Sequence, residues 1–142
     1  MNLNKNPENM FLYHYVEELI SDYGSYYNEN LKNQDLTIKE YSILLRIRFT
    51  QTSTQHDLVE LFKVSGAYMA KVLKKFEDEN YILRKEDPQN RRKKIVELTD
   101  RGIEKTNQLI KIISDWEREV TFNLSDDEIS ILKKILSKIV WR

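Results

Sequence analysis

Arg91, Arg92, Lys93 and Lys94 stand in a row inside the stretch RKEDPQNRRKKIVELTDRG, which runs from Arg84 to Gly102. Four adjacent cations behind a Pro-containing turn either neutralise a polyanion such as a phosphate backbone or form only a solvated turn. Upstream, Lys71, Lys74 and Lys75 recur at a spacing of three to four residues. On a helix that spacing places them on one face. Segment 63–94 carries ten Lys or Arg against five Asp or Glu, whereas the whole chain of 142 residues has 23 of each. A locally basic face on an otherwise acidic body points to a polyanionic partner.

Other chemistries lack their residues. There is no cysteine, which removes disulfides, thiolate metal sites and thiol redox sensing. The three glycines, Gly24, Gly66 and Gly102, cannot write a dinucleotide fingerprint or a P-loop. His14 has metal-ligand spacing to Glu17 or Glu18, but two histidines without a cysteine make a poor ligand set. Asp57 beside His56 has no nucleophile tied to it and fits the first turn of a helix, where anions are favoured. The chain is therefore expected to be no enzyme and to need no cofactor or metal. No apolar run approaches the ~18 residues of a membrane span, and the N-terminus has no apolar signal core. A cytoplasmic location follows.

The elements that must position the cations can be read from caps and periodicity. Asn6-Pro7 reads as an N-cap with Pro at the first helical position. Phe11, Tyr15, Leu19, Tyr23, Tyr26 and Tyr27 then keep helical spacing to about Asn30. Thr37 with Glu40 forms a capping box, Leu36 can staple onto Tyr41, and Tyr41, Leu44 and Leu45 mark a buried stripe. Ser53 or Thr54 caps a short helix bearing Leu58, Leu61 and Phe62. Only Lys63 and Val64 separate it from the next cap, Ser65, so the two helices must turn sharply.

After Ser65, Met69, Val72, Leu73 and Phe76 form one apolar stripe. The opposite face carries Ala67, Lys71 and Lys74, flanked by Tyr68, Ala70 and Lys75. Asn80 suits a left-handed C-cap. YILRK and KIVEL read as two strands, joined by the eight residues Glu86 to Lys93. Thr99 caps a helix to about Phe122, striped by Ile103, Thr106, Ile110, Ile113, Trp116 and Val120. Ser125 with Glu128 caps a last helix bearing Ile129, Leu132, Ile135, Leu136 and Ile139.

The order is helix, helix, helix–turn–helix, hairpin, long helix, helix. This predicts a mostly α fold with a small β-hairpin, a winged helix. A helix fits the major groove of B-DNA, and a basic ribbon beside it can follow the backbone or enter the minor groove. The expected partner is double-stranded DNA.

At these residues the chain resembles the MarR family of bacterial transcriptional regulators, over about residues 6–141. The wing segment carries most of the likeness: Arg84, Asp87, Arg92, Leu98, Thr99 and Gly102 match its pattern. The family's second wing Asp is Asn90 here, which can hydrogen-bond to Arg92 but without charge. TIKEYSILL, TSTQHDLVELF, SGAYMAKVLKKFEDENYI and LSDDEISILKKIL share the pattern more loosely. The resemblance implies one domain over 1–142, with dimerisation helices at 6–33 and 100–142. A winged-helix lobe then spans 36–99, with the helix–turn–helix at about 54–79 and the wing at about 81–98. It also implies a homodimer on a pseudo-palindromic operator, a repressor role and, by analogy, release by a small aromatic or amphipathic effector. The apolar and aromatic surface of the terminal helices, with Trp116 and Trp141, independently favours a dimer.

The expected DNA-facing residues are Gln55, Ser65, Ala67, Tyr68, Lys71, Lys74, Lys75, Arg91, Arg92 and Lys93. Most have a plainer alternative: the wing cations form only a solvated turn, and Lys71 is an ordinary lysine of an exposed helix. Ser65 is first a cap. Gln55 meets phosphate or merely water. Tyr68 is a contact or a packed ring. Lys74 or Lys75 pairs with Asp78 or Glu79. Gly102 is close packing beneath the wing. The competing function is a winged helix that binds protein and has no operator.

Overall fold

Among the described residues, five of the six α-helices start at a side chain that accepts an otherwise orphaned backbone N–H. The computed structural model describes residues 6–31, 35–50 and 53–142. Residues 32–33 of the first expected dimerisation segment, and the first five residues, lie outside them.

The chain opens with a short 3-10 turn, Pro7–Asn9, capped by the Asn6 side chain. Helix α1 (Leu12–Asn30) begins only after Met10 and Phe11, whose extended backbone interrupts the helix expected to run on from Pro7. The Tyr15 hydroxyl donates to the Pro7 carbonyl at 3.0 Å and holds the turn against α1. Helix α2 (Ile38–Phe49) starts with the expected Thr37–Glu40 capping box, with both bonds present at 3.1 and 2.9 Å. Tyr27 is buried, and its hydroxyl donates to the Leu36 carbonyl at 2.6 Å. Burial pushes that phenol up to about 12.

A two-residue strand β1 (Ser53–Thr54) precedes helix α3 (Gln55–Phe62). Thr54, rather than Ser53, is the cap, in a reciprocal box with Asp57. Helix α4 (Gly66–Asp78) is capped by Ser65 and ends at Asn80 in the left-handed region, φ 61°. There the Tyr81 N–H bonds the Phe76 carbonyl at 2.8 Å and the Asn80 N–H bonds that of Glu77 at 3.0 Å, a Schellman ending.

Strands β2 (Ile82–Asp87) and β3 (Asn90–Leu98) form the antiparallel hairpin, and β1 adds to the far side of β3 in the order β1-β3-β2. The sheet is thus three-stranded. The eight-residue connection expected between the strands is also shorter. Pairing persists to Asp87 opposite Asn90, leaving Pro88 and Gln89 at the turn. Register slips between the Glu86–Lys94 and Asp87–Asn90 pairs, so residues 91–93 are additional on the outgoing strand.

Helix α5 (Asp100–Val120) and helix α6 (Asp126–Val140) close the chain. At about 1.5 Å per residue α5 spans about 30 Å. Its buried face is Gly102, Thr106 and Leu109, with Ile112 and Ile113 packed beside it; Ile103 and Val120 lie exposed. Of the expected stripe Thr106 is thus buried and Ile110, Ile113 and Trp116 are half-buried, while the start of the helix is seated by Gly102 directly against Tyr81. A Cβ at 102 would lie 2.1 Å from the Tyr81 carbonyl oxygen. That carbonyl accepts the Thr99 N–H, and the Thr99 hydroxyl donates to the Asn80 carbonyl.

The core lies between α2, α4, the sheet and α5. Met69, Leu73 and Phe76 of α4 are fully buried with Ile43 and Leu44 of α2, as the α4 stripe predicts. The terminal helices differ. Tyr27 is the one buried residue of α1, and α6 has none. Their apolar side chains, among them Leu12, Val16, Ile20, Leu132, Ile135 and Leu136, stand exposed. Trp116 is half-buried, edge-on to Tyr23 and donating to Asp22 at 2.7 Å, whereas Trp141 is exposed. Among the described residues no helix is long and apolar enough to cross a membrane, and no group of three His, Cys, Asp or Glu could hold a metal ion.

Candidate nucleic-acid interface

Two helices joined by three residues must reverse direction abruptly, and the chain does so at Lys63, whose φ of 52° is left-handed. That backbone is uncommon for a residue with a Cβ. The turn sets α4 across α3 and leaves Ser65, Ala67, Lys71 and Lys74 exposed along its outer face. Met69, Val72, Leu73 and Phe76 occupy the inner one.

The side chains on the outer face are not equivalent. The Ser65 oxygen accepts the Tyr68 N–H at 3.0 Å, so its first role is to cap. Tyr68 is half-buried against the core, with the Lys39 ammonium 5.6 Å from its ring centre. Packing is thus part of its role. Lys74 reaches Asp78 at 2.7 Å, but both side chains are about 60% exposed, and such pairs yield readily to a competing anion.

Lys75 is tied to α2, although its side chain is 40% exposed. Its ammonium donates to the Asp35 carbonyl at 2.7 Å and to both Glu40 carboxylate oxygens at 3.2 Å. The alternative pairing with Glu79 does not form, and the charge points toward α2. These bonds set Lys75 apart from the other expected DNA-facing cations, whose charges are not committed to α2. Lys71, Arg91, Arg92 and Lys93 are exposed, and none of them is in an ion pair among the described residues.

The wing is ordered by its own backbone. The Asp87 carboxylate accepts the Gln89 N–H at 2.9 Å, and the Asn90 side chain accepts the Arg92 N–H at 3.2 Å. Asn90 therefore holds the main chain of Arg92 and not its guanidinium, as the neutral amide leaves that side chain unbound. Lys85 and Glu97 pair across the strands at 3.0 Å.

Arg84 fastens the wing to α4. Its Nε and Nη2 bond the two Glu77 carboxylate oxygens at 3.0 and 2.9 Å, and Nη1 lies 3.4 Å from the Gln55 side-chain oxygen. The arginine side chain is 19% exposed and that of Glu77 33%. The paired guanidinium holds the Glu77 carboxyl below its ordinary range. One side chain thus joins α3, α4 and β2. Its match to a wing pattern is visible in sequence, but its partners are not.

These elements enclose a cleft of about 540 Å³ lined by α3, the start of α4 and the wing. Gln55, His56 and Gly66 stand on one side, with Arg84, Arg92, Lys93 and Lys94 on the other. Of the expected residues the cleft gathers Gln55, Arg92 and Lys93; Arg91 projects outside it. His56 and Lys94 were not among the expected site residues. Helical periodicity gives no sign that His56 would face the wing.

A second set of bonds ties this lobe to α5. Asp35 accepts from Lys105 at 2.7 Å and from the Tyr81 hydroxyl at 2.9 Å. Burial pushes the Asp35 carboxyl up, but these hydrogen bonds outweigh it and leave the group below its ordinary value. From α2, one Arg48 nitrogen donates to the Ile103 carbonyl and the Thr106 hydroxyl at 3.0 and 2.9 Å.

Comparison with known proteins agrees with this architecture. A model of the MarR family matches residues 36–94, which take in α2 through most of the wing. An uncharacterized HTH-type transcriptional regulator of Bacillus cereus is 30% identical over 113 residues, covering 79% of this chain and 75% of the relative. The multiple antibiotic resistance protein MarR of Escherichia coli is 26% identical over 114 residues, covering 80% and 79%. A crystal structure of MarR superposes with a TM-score of 0.81 at 24% identity, over 99% of this chain and 93% of that one. A mutant E. coli MarR complexed with operator DNA gives 0.70 at 23%, over 96% and 99%. With its winged helix–turn–helix and these relatives, the chain belongs to the MarR family of transcriptional regulators.

Proposed function

We propose that the protein is a cytoplasmic repressor that binds a pseudo-palindromic operator as a homodimer, with α4 in the major groove and the β2–β3 wing along the backbone. One observation carries this reading: Arg92 and Lys93, in no ion pair among the described residues, line a cleft that reaches Gly66 at the start of α4, the helix whose outer face carries the exposed Lys71. Lys71 and Ala67 meet base edges. Ser65, Tyr68 and Lys74 lie beside the groove. Gln55, Arg91, Arg92 and Lys93 meet phosphates or the adjacent minor groove.

The dimer rests on the terminal helices, residues 6–33 and 100–142, where a single chain leaves many of the described apolar side chains uncovered. Two copies of α4 must then sit about 34 Å apart, one turn of DNA. An apolar pocket of about 330 Å³ between α1, α2 and α5, lined by Leu19, Ile20, Tyr23, Ile113 and Trp116, suits a small aromatic effector. Occupancy there would favour another spacing and release DNA by population shift.

Selection of bound sequences from random duplex DNA tests the reading. Enrichment of an inverted repeat with half-sites one turn apart, bound by a sedimenting dimer, is expected. No enrichment, or duplex binding insensitive to salt, would replace it with the protein-interaction alternative.

A further inference from the structure

We propose that His56 is a proton-linked contact to the nucleic acid, so that DNA affinity rises as pH falls through the histidine range. This rests on DNA entering the cleft described above.

His56 is the second residue of α3 and lines that cleft. Its side chain is 71% exposed and available to a ligand. Facing it are Arg84 from β2 and Arg92, Lys93 and Lys94 from β3. On its own helix the nearby acids are Asp57 and Glu60, whose carboxylate lies 4.0 Å from Nε2. The Asp57 carboxylate is engaged by the Thr54 N–H at 3.1 Å. The imidazole therefore stands in a cleft whose opposite wall is cationic, with the Glu60 carboxylate on its own helix.

A phosphate in the cleft changes these surroundings. It neutralises the wing cations and places an anion beside the ring, which favours imidazolium. By linkage, a group that gains a proton on binding makes binding tighter at lower pH. The sign is fixed: the extra affinity is present below the free-state pKa and is lost as pH rises through the bound-state value. One proton taken up per site allows at most about a ten-fold gain in affinity for each pH unit of acidification. In a dimer the factor is squared.

The test uses the full chain and the selected operator duplex at fixed salt. Anisotropy titrations from pH 6 to 8 compare wild type, His56→Gln and His14→Gln. The only other histidine, His14, lies on α1 and serves as control. Tighter binding at low pH is expected in wild type and His14→Gln, with the slope flattened in His56→Gln. A pH-independent wild type, or a His56→Gln variant with the wild-type slope, overturns the assignment. A wild type that binds no duplex at any pH sinks the DNA-binding reading itself, and this inference with it.

Discussion

The Arg84–Glu77 pair should be a measurable fastening between the wing and α4. Arg84→Met keeps the aliphatic stem and removes the charged fork; Glu77→Gln removes the anion with little change of shape. The two side chains are 19% and 33% exposed. That places the pair between exposed ion pairs, worth up to about 1 kcal/mol, and buried ones, which cost about 3–5 kcal/mol to break. Bidentate geometry raises the value, and remaining exposure lowers it by letting water rehydrate the orphaned carboxylate. A coupling of about 1–2 kcal/mol follows. Urea unfolding of wild type, both single variants and the double variant, at one protein concentration, measures it. The double variant should be scarcely less stable than Arg84→Met alone. Because Arg84 also reaches Gln55, Arg84→Met should weaken DNA binding more than Glu77→Gln does. A coupling below about 0.3 kcal/mol would show that the two groups act independently and that the fork does not set the wing.

Gly102→Ala should destabilise by at least about 1–3 kcal/mol, read as a lowered urea midpoint, because its methyl would meet the Tyr81 carbonyl oxygen at 2.1 Å. Lys71→Ala should make the salt dependence of DNA binding shallower or relax one operator position, whereas Lys75→Ala should leave the salt slope alone and lower stability by freeing the mostly buried Glu40. Asp35 titrates below its ordinary value in the folded protein, so its contribution is present above about pH 4 and is lost as pH falls through the folded value. Asp35→Asn should therefore flatten the acid limb of the stability profile, followed by thermal unfolding between pH 2 and 6.

Local physics made much of this molecule legible in its sequence. The caps at Thr37, Ser65, Thr99 and Ser125 and the left-handed stop at Asn80 are decided within four or five residues. The α4 stripe follows from helical period alone, and element order was enough to imply a wing behind a helix–turn–helix. Features that depend on contacts distant along the chain were decided by tertiary structure. Lys75 turns to Glu40, 35 residues away, although neighbouring acids offered closer partners in sequence. Thr54 and Ser53 become a strand only because β3 arrives beside them. Arg84 becomes a three-way fastening because the Schellman turn brings β2 back along α4 and α3 lies within reach. The close seating of Gly102 on the Tyr81 carbonyl is likewise a contact that the apolar pattern of α5 does not announce. Spacing along the chain reports which residues share a face; where that face points is determined by what packs against it.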